Sequence, residues 1–101
     1  MTPAIINLIA PSYYRRARKE GEDEIDAIMR EYACNKGDAE EIKKTMTMLS
    51  YGCYQVMRDA AHTQKSEKEA ADHFFTITFP ELSDEAKSEI TRYASWCVAK
   101  G

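Results

Sequence analysis

The side chains best suited to metal chemistry in this chain are two histidines that each stand near an acidic residue. Asp59 and His62 are three residues apart, and Glu69 and His73 are four apart. On helices each pair would share one face. A di-metal site in a helical bundle needs two Glu-x-x-His motifs and further inward-pointing glutamates, and this sequence contains no Glu-x-x-His. We therefore predict no metal site and expect both histidines at the surface.

Three cysteines are the next candidates, as nucleophiles, zinc ligands or disulfide partners. Their number is odd and they form no C-x-x-C, which fits neither a disulfide framework nor a zinc knuckle. Cys53 and Cys97 fall on predicted apolar faces, and nothing marks Cys34 as activated. The sequence also lacks a glycine-rich phosphate loop and a G-x-S-x-G motif. We expect a protein that is not an enzyme and carries no cofactor.

Tyrosines and cations alternate in a segment near the N terminus. The segment comprises Tyr13, Tyr14, Arg15, Arg16, Arg18 and Lys19. Guanidinium groups pair with phosphate and aromatic rings stack on bases, so this composition is typical of nucleic-acid surfaces. Domains that bind nucleic acid are usually basic overall, whereas this chain has a net charge of −3. Tyrosine and arginine also anchor protein interfaces, and we predict that these six residues contact a partner protein.

Acidic residues follow this segment and suggest a different mode of action. Residues 1–20 carry a net charge of +3, residues 21–41 carry −6, and the remaining residues balance at zero. On one helix this order opposes the helix dipole, which favours compensation by a neighbouring helix or a partner. A further interpretation is therefore an acidic surface mimic, encoded by a phage or another mobile element, that blocks a basic nucleic-acid-binding partner.

Methionine and tyrosine are concentrated in the middle of the chain. The residues concerned are Met46, Met48, Leu49, Tyr51, Tyr54 and Met57. On a helix they would cover more than one face, and such a helix is either enclosed by its neighbours or shared with another chain. Because methionine side chains adapt to varied surfaces, a partner groove and a homo-oligomer remain alternatives to enclosure.

Helices are needed to position these groups, and apolar residues at steps of three and four predict them. The clearest stripe predicts a central helix over 38–62, with Asp38 as its N-cap and Glu41 in a capping box. Its members are Ile42, Met46, Leu49, Cys53, Val56 and Ala60. Upstream, the stripe predicts a helix over about 12–34, preceded by a short helical segment over 3–10. A break at Gly21 is the rival interpretation.

Two further helices are predicted near the C terminus. Ser66 would cap a helix over 66–78, and Ser83 would cap a last helix over 83–99. Their apolar faces would be formed by Ala70, Phe74 and Ile77 in the first and by Ala86, Ile90, Tyr93 and Cys97 in the second. Residues 75–79 also alternate like a strand, but a lone strand has no partner in this chain. We therefore prefer a helix that frays into an extended apolar segment at its end.

Four principal helices with short connections predict an all-α compact bundle that forms a single domain over 1–101. No apolar run is long enough to span a bilayer and no secretory signal is evident, so we expect a cytoplasmic protein without membrane contact. The predicted function is a non-catalytic protein-interaction module, an adaptor or inhibitor, that binds a partner protein. Nucleic-acid binding through the basic-aromatic segment 13–19 is the alternative.

Overall fold

The computed structural model describes the backbone of residues 3–20 and 36–100 and the side chains of residues 4–15 and 40–99. Four helices make up most of these ranges. The helices are α1 (Pro3–Glu20), α2 (Lys36–His62), α3 (Glu67–Thr78) and α4 (Asp84–Lys100). No strand occurs in these ranges, so the predicted all-α bundle of four helices is confirmed. The predicted helical stretch 21–34, with the break at Gly21, lies outside the described residues.

Helix α1 differs from the prediction because it runs through Pro11 as one element. The prediction had a short segment over 3–10 and a new helix from Ser12. A proline inside a helix removes a backbone hydrogen bond and costs about 3 kcal/mol. Here Pro11 is buried, and the helix buries side chains on both sides of it: Ile6, Ile9, Ala10, Tyr13 and Tyr14. Tertiary packing of both halves therefore outweighs the local penalty.

Helix α2 supplies much of the core, along the face that its spacing predicts. Ile42, Met46, Leu49, Cys53 and Ala60 are buried as predicted, Val56 is half-buried, and Met57 joins them. The helix begins at Lys36, so Asp38 lies inside it and the prediction that Asp38 caps it is wrong. Local signals define such a boundary only to within one or two residues.

Helix α3 begins where its cap predicts but turns a different face to the core. The Ser66 Oγ accepts a hydrogen bond from the backbone N–H of Glu69 at 3.2 Å, which confirms Ser66 as the N-cap. Ala71 and Phe75 are buried, whereas Ile77 is 68% exposed. The prediction that Ile77 lies on the apolar face is therefore wrong. Apolar residues occupy adjacent positions in this helix, so its sequence is compatible with more than one buried face. Packing against α2 and α4 determines which face is buried.

Helix α4 is capped by Ser83, as predicted, and held in place by a residue of α1. The Ser83 Oγ accepts from the N–H of Ala86 at 3.2 Å. The side chain of Asn7 donates to the carbonyl of Glu81 at 3.0 Å and accepts from the N–H of Ser83 at 2.7 Å. Asn7 therefore fixes the α3–α4 connection against α1 through two backbone groups.

The packing order of the helices differs from their order in the chain. Helix α4 packs against both α1 and α2, and α2 also packs against α3. The core lies between these helices and includes Phe75, Ile90 and Ala94. This order places the exposed surfaces of α2 and α4 side by side, although the two helices are separated by α3 along the chain.

Gly52 on α2 allows the ring of Phe74 on α3 to approach closely, since a Cβ atom at Gly52 would overlap that ring. Helix propensity alone predicts that Gly52→Ala stabilises by about 1 kcal/mol. Overpacking costs about 1–3 kcal/mol, so we expect a net loss of about 1 kcal/mol in the free energy of unfolding, measured by chemical denaturation. In a Phe74→Ala background the same substitution should stabilise. Stabilisation in both backgrounds would contradict the close contact.

Candidate protein-binding surface

The two tyrosines of the predicted contact segment 13–19 are core residues. Tyr13 is 9% exposed and Tyr14 is 1% exposed. The hydroxyl of Tyr14 donates to the carbonyl of Met46 at 2.6 Å, and burial raises the pKa of this phenol well above its usual value. Neither ring is presented to a partner, so the prediction that these two residues form a contact surface is corrected.

Arg15 is exposed, but it is directed toward acidic residues of α4. Its Nη2 lies 3.8 Å from the Oε1 of Glu89 and 3.9 Å from the Oε1 of Glu85. Glu89 is only 3% exposed and also accepts a hydrogen bond from Arg92 at 3.1 Å. Arg15 therefore helps to compensate a buried carboxylate. The other cations of the segment belong to α1, but their side chains lie outside the described part of the chain: Arg16, Arg18 and Lys19.

A groove of about 320 Å³ lies between α2 and α4. We call it the aromatic groove, and its walls are formed by Thr47, Ser50, Tyr51 and Tyr54 of α2 and by Tyr93 and Cys97 of α4. Tyr51 is 60% exposed, and its hydroxyl accepts a hydrogen bond from Gln55 at 2.9 Å. Three tyrosines thus line one concave surface, which the sequence analysis did not predict.

Contacts between tilted aromatic rings connect this groove to the core. The centroids of the Tyr14 and Tyr93 rings are 5.1 Å apart, and those of Tyr93 and Trp96 are 6.0 Å apart. Trp96 is 37% exposed at the surface of α4. Because aromatic pairs in this distance range attract each other, these contacts hold the groove wall on α4 in position.

Three further large apolar side chains are exposed but do not line the groove. Leu8 on α1 and Ile77 on α3 are 61% and 68% exposed, and neither lines the aromatic groove. Single exposed apolar residues are normal on protein surfaces. Met48, at 45% exposure, lies one turn from Tyr51 on α2. The methionine and tyrosine surplus of α2 is therefore divided between the core and an exposed face next to the groove.

The remaining candidate chemical groups are two histidines and two cysteines, since Cys34 lies outside the described residues; of the cysteines, Cys97 is half-buried in the groove wall. His62 and His73 are exposed, as predicted, and no three His, Cys, Asp or Glu residues of the described chain form a group that could hold a metal ion. Cys53 is buried, and this burial raises the pKa of its thiol to about 12. The Cys53 thiol therefore stays protonated at neutral pH and serves as a core side chain.

No family model, curated protein or solved structure matches this chain. Within the described residues, no helix is both long and apolar enough to cross a membrane. The chemistry of the exposed groups, and of the aromatic groove between α2 and α4 in particular, is thus the basis for a functional proposal.

Proposed function

We propose that this protein is a non-catalytic helical interaction module, an adaptor or inhibitor, whose aromatic groove binds an apolar side chain of a partner protein. The observation that carries the proposal is the set of three tyrosines around a concave surface, next to the exposed Trp96. Tyrosine and tryptophan dominate the energetic centres of protein interfaces.

Binding at this groove would require little ordering of the protein. The side chain of Tyr93 is already held between the rings of Tyr14 and Trp96, and Tyr51 bonds to Gln55. Side chains that are fixed before binding lose less rotamer freedom when a partner arrives, and this loss is one of the main costs of association. The groove is therefore better suited to be a contact surface than the flexible ends of lysine or arginine side chains.

The burial of Tyr13 and Tyr14 moves the proposed contact away from the segment 13–19. The cations of that segment remain suited to attracting an acidic partner, because charges outside the core of an interface mainly raise the association rate. The nucleic-acid alternative relied on these two rings to stack on bases, and both are buried. Nucleic-acid binding is therefore kept as one outcome of the pull-down described below. The acidic mimic rests on residues 21–41, most of which lie outside the described part.

A pull-down from the source organism's lysate tests the proposal, with tagged wild type, Tyr51→Ala and Trp96→Ala compared in the presence and absence of nuclease. We expect a discrete partner protein that survives nuclease and is reduced about tenfold or more by either substitution. Leu8→Ala and Ile77→Ala are matched controls, because each removes an exposed apolar side chain away from the groove. Loss of all captured protein on nuclease treatment would favour the nucleic-acid alternative.

A further inference from the structure

The helical stretches that form the groove carry cations and no acid, although the whole chain has a net charge of −3. Residues 42–58 contain Lys43, Lys44 and Arg58, and residues 90–99 contain Arg92, while neither range contains Asp or Glu. The acidic residues of the described chain thus lie before and between these stretches. A positive local electrostatic field favours an anionic group on the partner.

A second concave surface continues the aromatic groove toward the end of α2. It has a volume of about 400 Å³ and shares Tyr54 with the groove, and its other lining residues are Arg58, Ala61, His62 and Val98. Like the groove, it is lined by no acidic residue. The joint surface therefore has an aromatic end near Tyr51 and a basic end at Arg58.

Arg58 is available to a partner. Its side chain is exposed and forms no ion pair with any residue of the described chain. Arg92, in contrast, already bonds to Glu89. A guanidinium group beside an apolar wall binds a carboxylate well, because it is weakly hydrated and offers two parallel donors.

From this arrangement we propose that the joint surface binds an acidic amphipathic segment of the partner protein. The partner's apolar side chain fills the aromatic groove, and a carboxylate of the same segment pairs with Arg58. This inference rests on the proposed function and adds the chemistry of the partner. Residues 51 and 58 are separated by about 10 Å along α2. The partner's anchor and acid are thus about seven residues apart on a helix, or about three residues apart in an extended segment.

A protein segment fits this surface better than a single-stranded nucleic acid. Nucleic-acid grooves need cations repeated along the phosphate backbone as well as exposed ring faces. Arg58 is the single arginine or lysine among the residues that line the two concave surfaces. One strong donor at the end of an apolar groove matches one or two carboxylates, whereas a run of phosphates would leave most of its charges uncompensated.

Selection from a random peptide library displayed on phage tests this inference with the intact protein. We expect the enriched peptides to contain an aromatic or leucine anchor with Asp or Glu at one of the two predicted spacings. Synthetic versions of the enriched peptides should bind Arg58→Glu about tenfold more weakly than wild type. Arg58→Lys should weaken binding less than Arg58→Glu, because it keeps the positive charge but loses the two parallel donors. Lys68→Glu on α3 is a matched charge reversal away from the surface and should change nothing.

The outcomes separate this inference from the proposed function. Enriched peptides that depend on Tyr51 but show no acidic bias would overturn the acidic partner and leave the groove as the binding site. Peptides whose binding is unchanged by Tyr51→Ala would contradict both proposals, and so would a selection that enriches nothing. Binding of an unstructured oligothymidylate that competes with the peptides and is lost in Arg58→Glu would replace the peptide by nucleic acid.

Discussion

Tyr14→Ala is expected to lower the free energy of unfolding by about 3–5 kcal/mol, because it removes a large aromatic side chain from a close-packed core. The ring of Tyr14 is 1% exposed, lies 4.8 Å from Tyr13 and 5.1 Å from Tyr93, and its hydroxyl bonds to Met46. Denaturant unfolding followed by circular dichroism measures the effect. A domain of this size has a total stability of about 5–15 kcal/mol, so this loss is a large share of it and should clearly lower the denaturant concentration at the midpoint of unfolding.

Tyr14→Phe separates the ring from the hydroxyl and serves as the matched control. It keeps the packing but removes one buried hydrogen bond, for which we expect a loss of about 1 kcal/mol in the free energy of unfolding.

Burial raises the pKa of Tyr14 above its ordinary value of 10.0, so the folded state keeps the proton that the unfolded chain releases above that pH. Stability should therefore fall above about pH 10, and less so in Tyr14→Phe. A Tyr14→Ala variant as stable as wild type would contradict the buried position.

Arg15→Glu is expected to lower the free energy of unfolding by about 2 kcal/mol. The substitution places a carboxylate beside Glu89, which is 3% exposed and loses one of its two described cationic partners. Removing one partner of a fully buried ion pair costs about 3–5 kcal/mol. The expected loss is smaller because the Arg15 side chain is 49% exposed and solvent screens its charge.

Glu89→Gln provides the second arm of a double-mutant cycle for this ion pair. If Arg15 acts through Glu89, the Arg15→Glu variant should regain about 1 kcal/mol when Glu89 is also neutralised. Full additivity of the two substitutions would contradict the interaction. Substitution of Arg15 should therefore change the stability of the fold as well as any contact with a partner. A binding assay on an Arg15 variant has to be accompanied by a stability measurement.

Local signals in the sequence predict most of the helices. The stripe from Ile42 to Ala60 follows the helical period, and Ser66 and Ser83 cap α3 and α4 as expected. These features depend on residues within about one turn of each other, so they can be recognised without knowledge of the fold.

Tertiary packing decides the features that the sequence did not predict. Pro11 has a strong local tendency to end a helix, but the buried side chains on either side of it keep α1 continuous. Asn7 and Glu89 look like ordinary polar surface residues in the sequence. Their roles depend on Ser83 and Arg15, residues more than 70 positions away in each case, and no local pattern records such pairs.

The candidate binding surface was predictable only in part. Tyrosine serves equally in cores and at interfaces, so the pattern around Tyr13 and Tyr14 could not show that both rings are buried. The surplus of methionine and tyrosine on α2 was the useful signal, since Met48 and Tyr51 are indeed exposed. The groove itself needs Tyr93 and Cys97 from a helix about 40 residues further along the chain, and their proximity follows only from the packing of α4 on α2.

Chemical-shift mapping by NMR tests most directly the claim that the aromatic groove is the partner-binding surface. The isotope-labelled protein would be titrated with the captured partner or with the strongest selected peptide. We predict that the largest backbone amide shifts cluster at residues 47–54 and 93–97. Shifts confined to the segment 13–19, or to the outer face of α3 around Ile77, would contradict the proposed site.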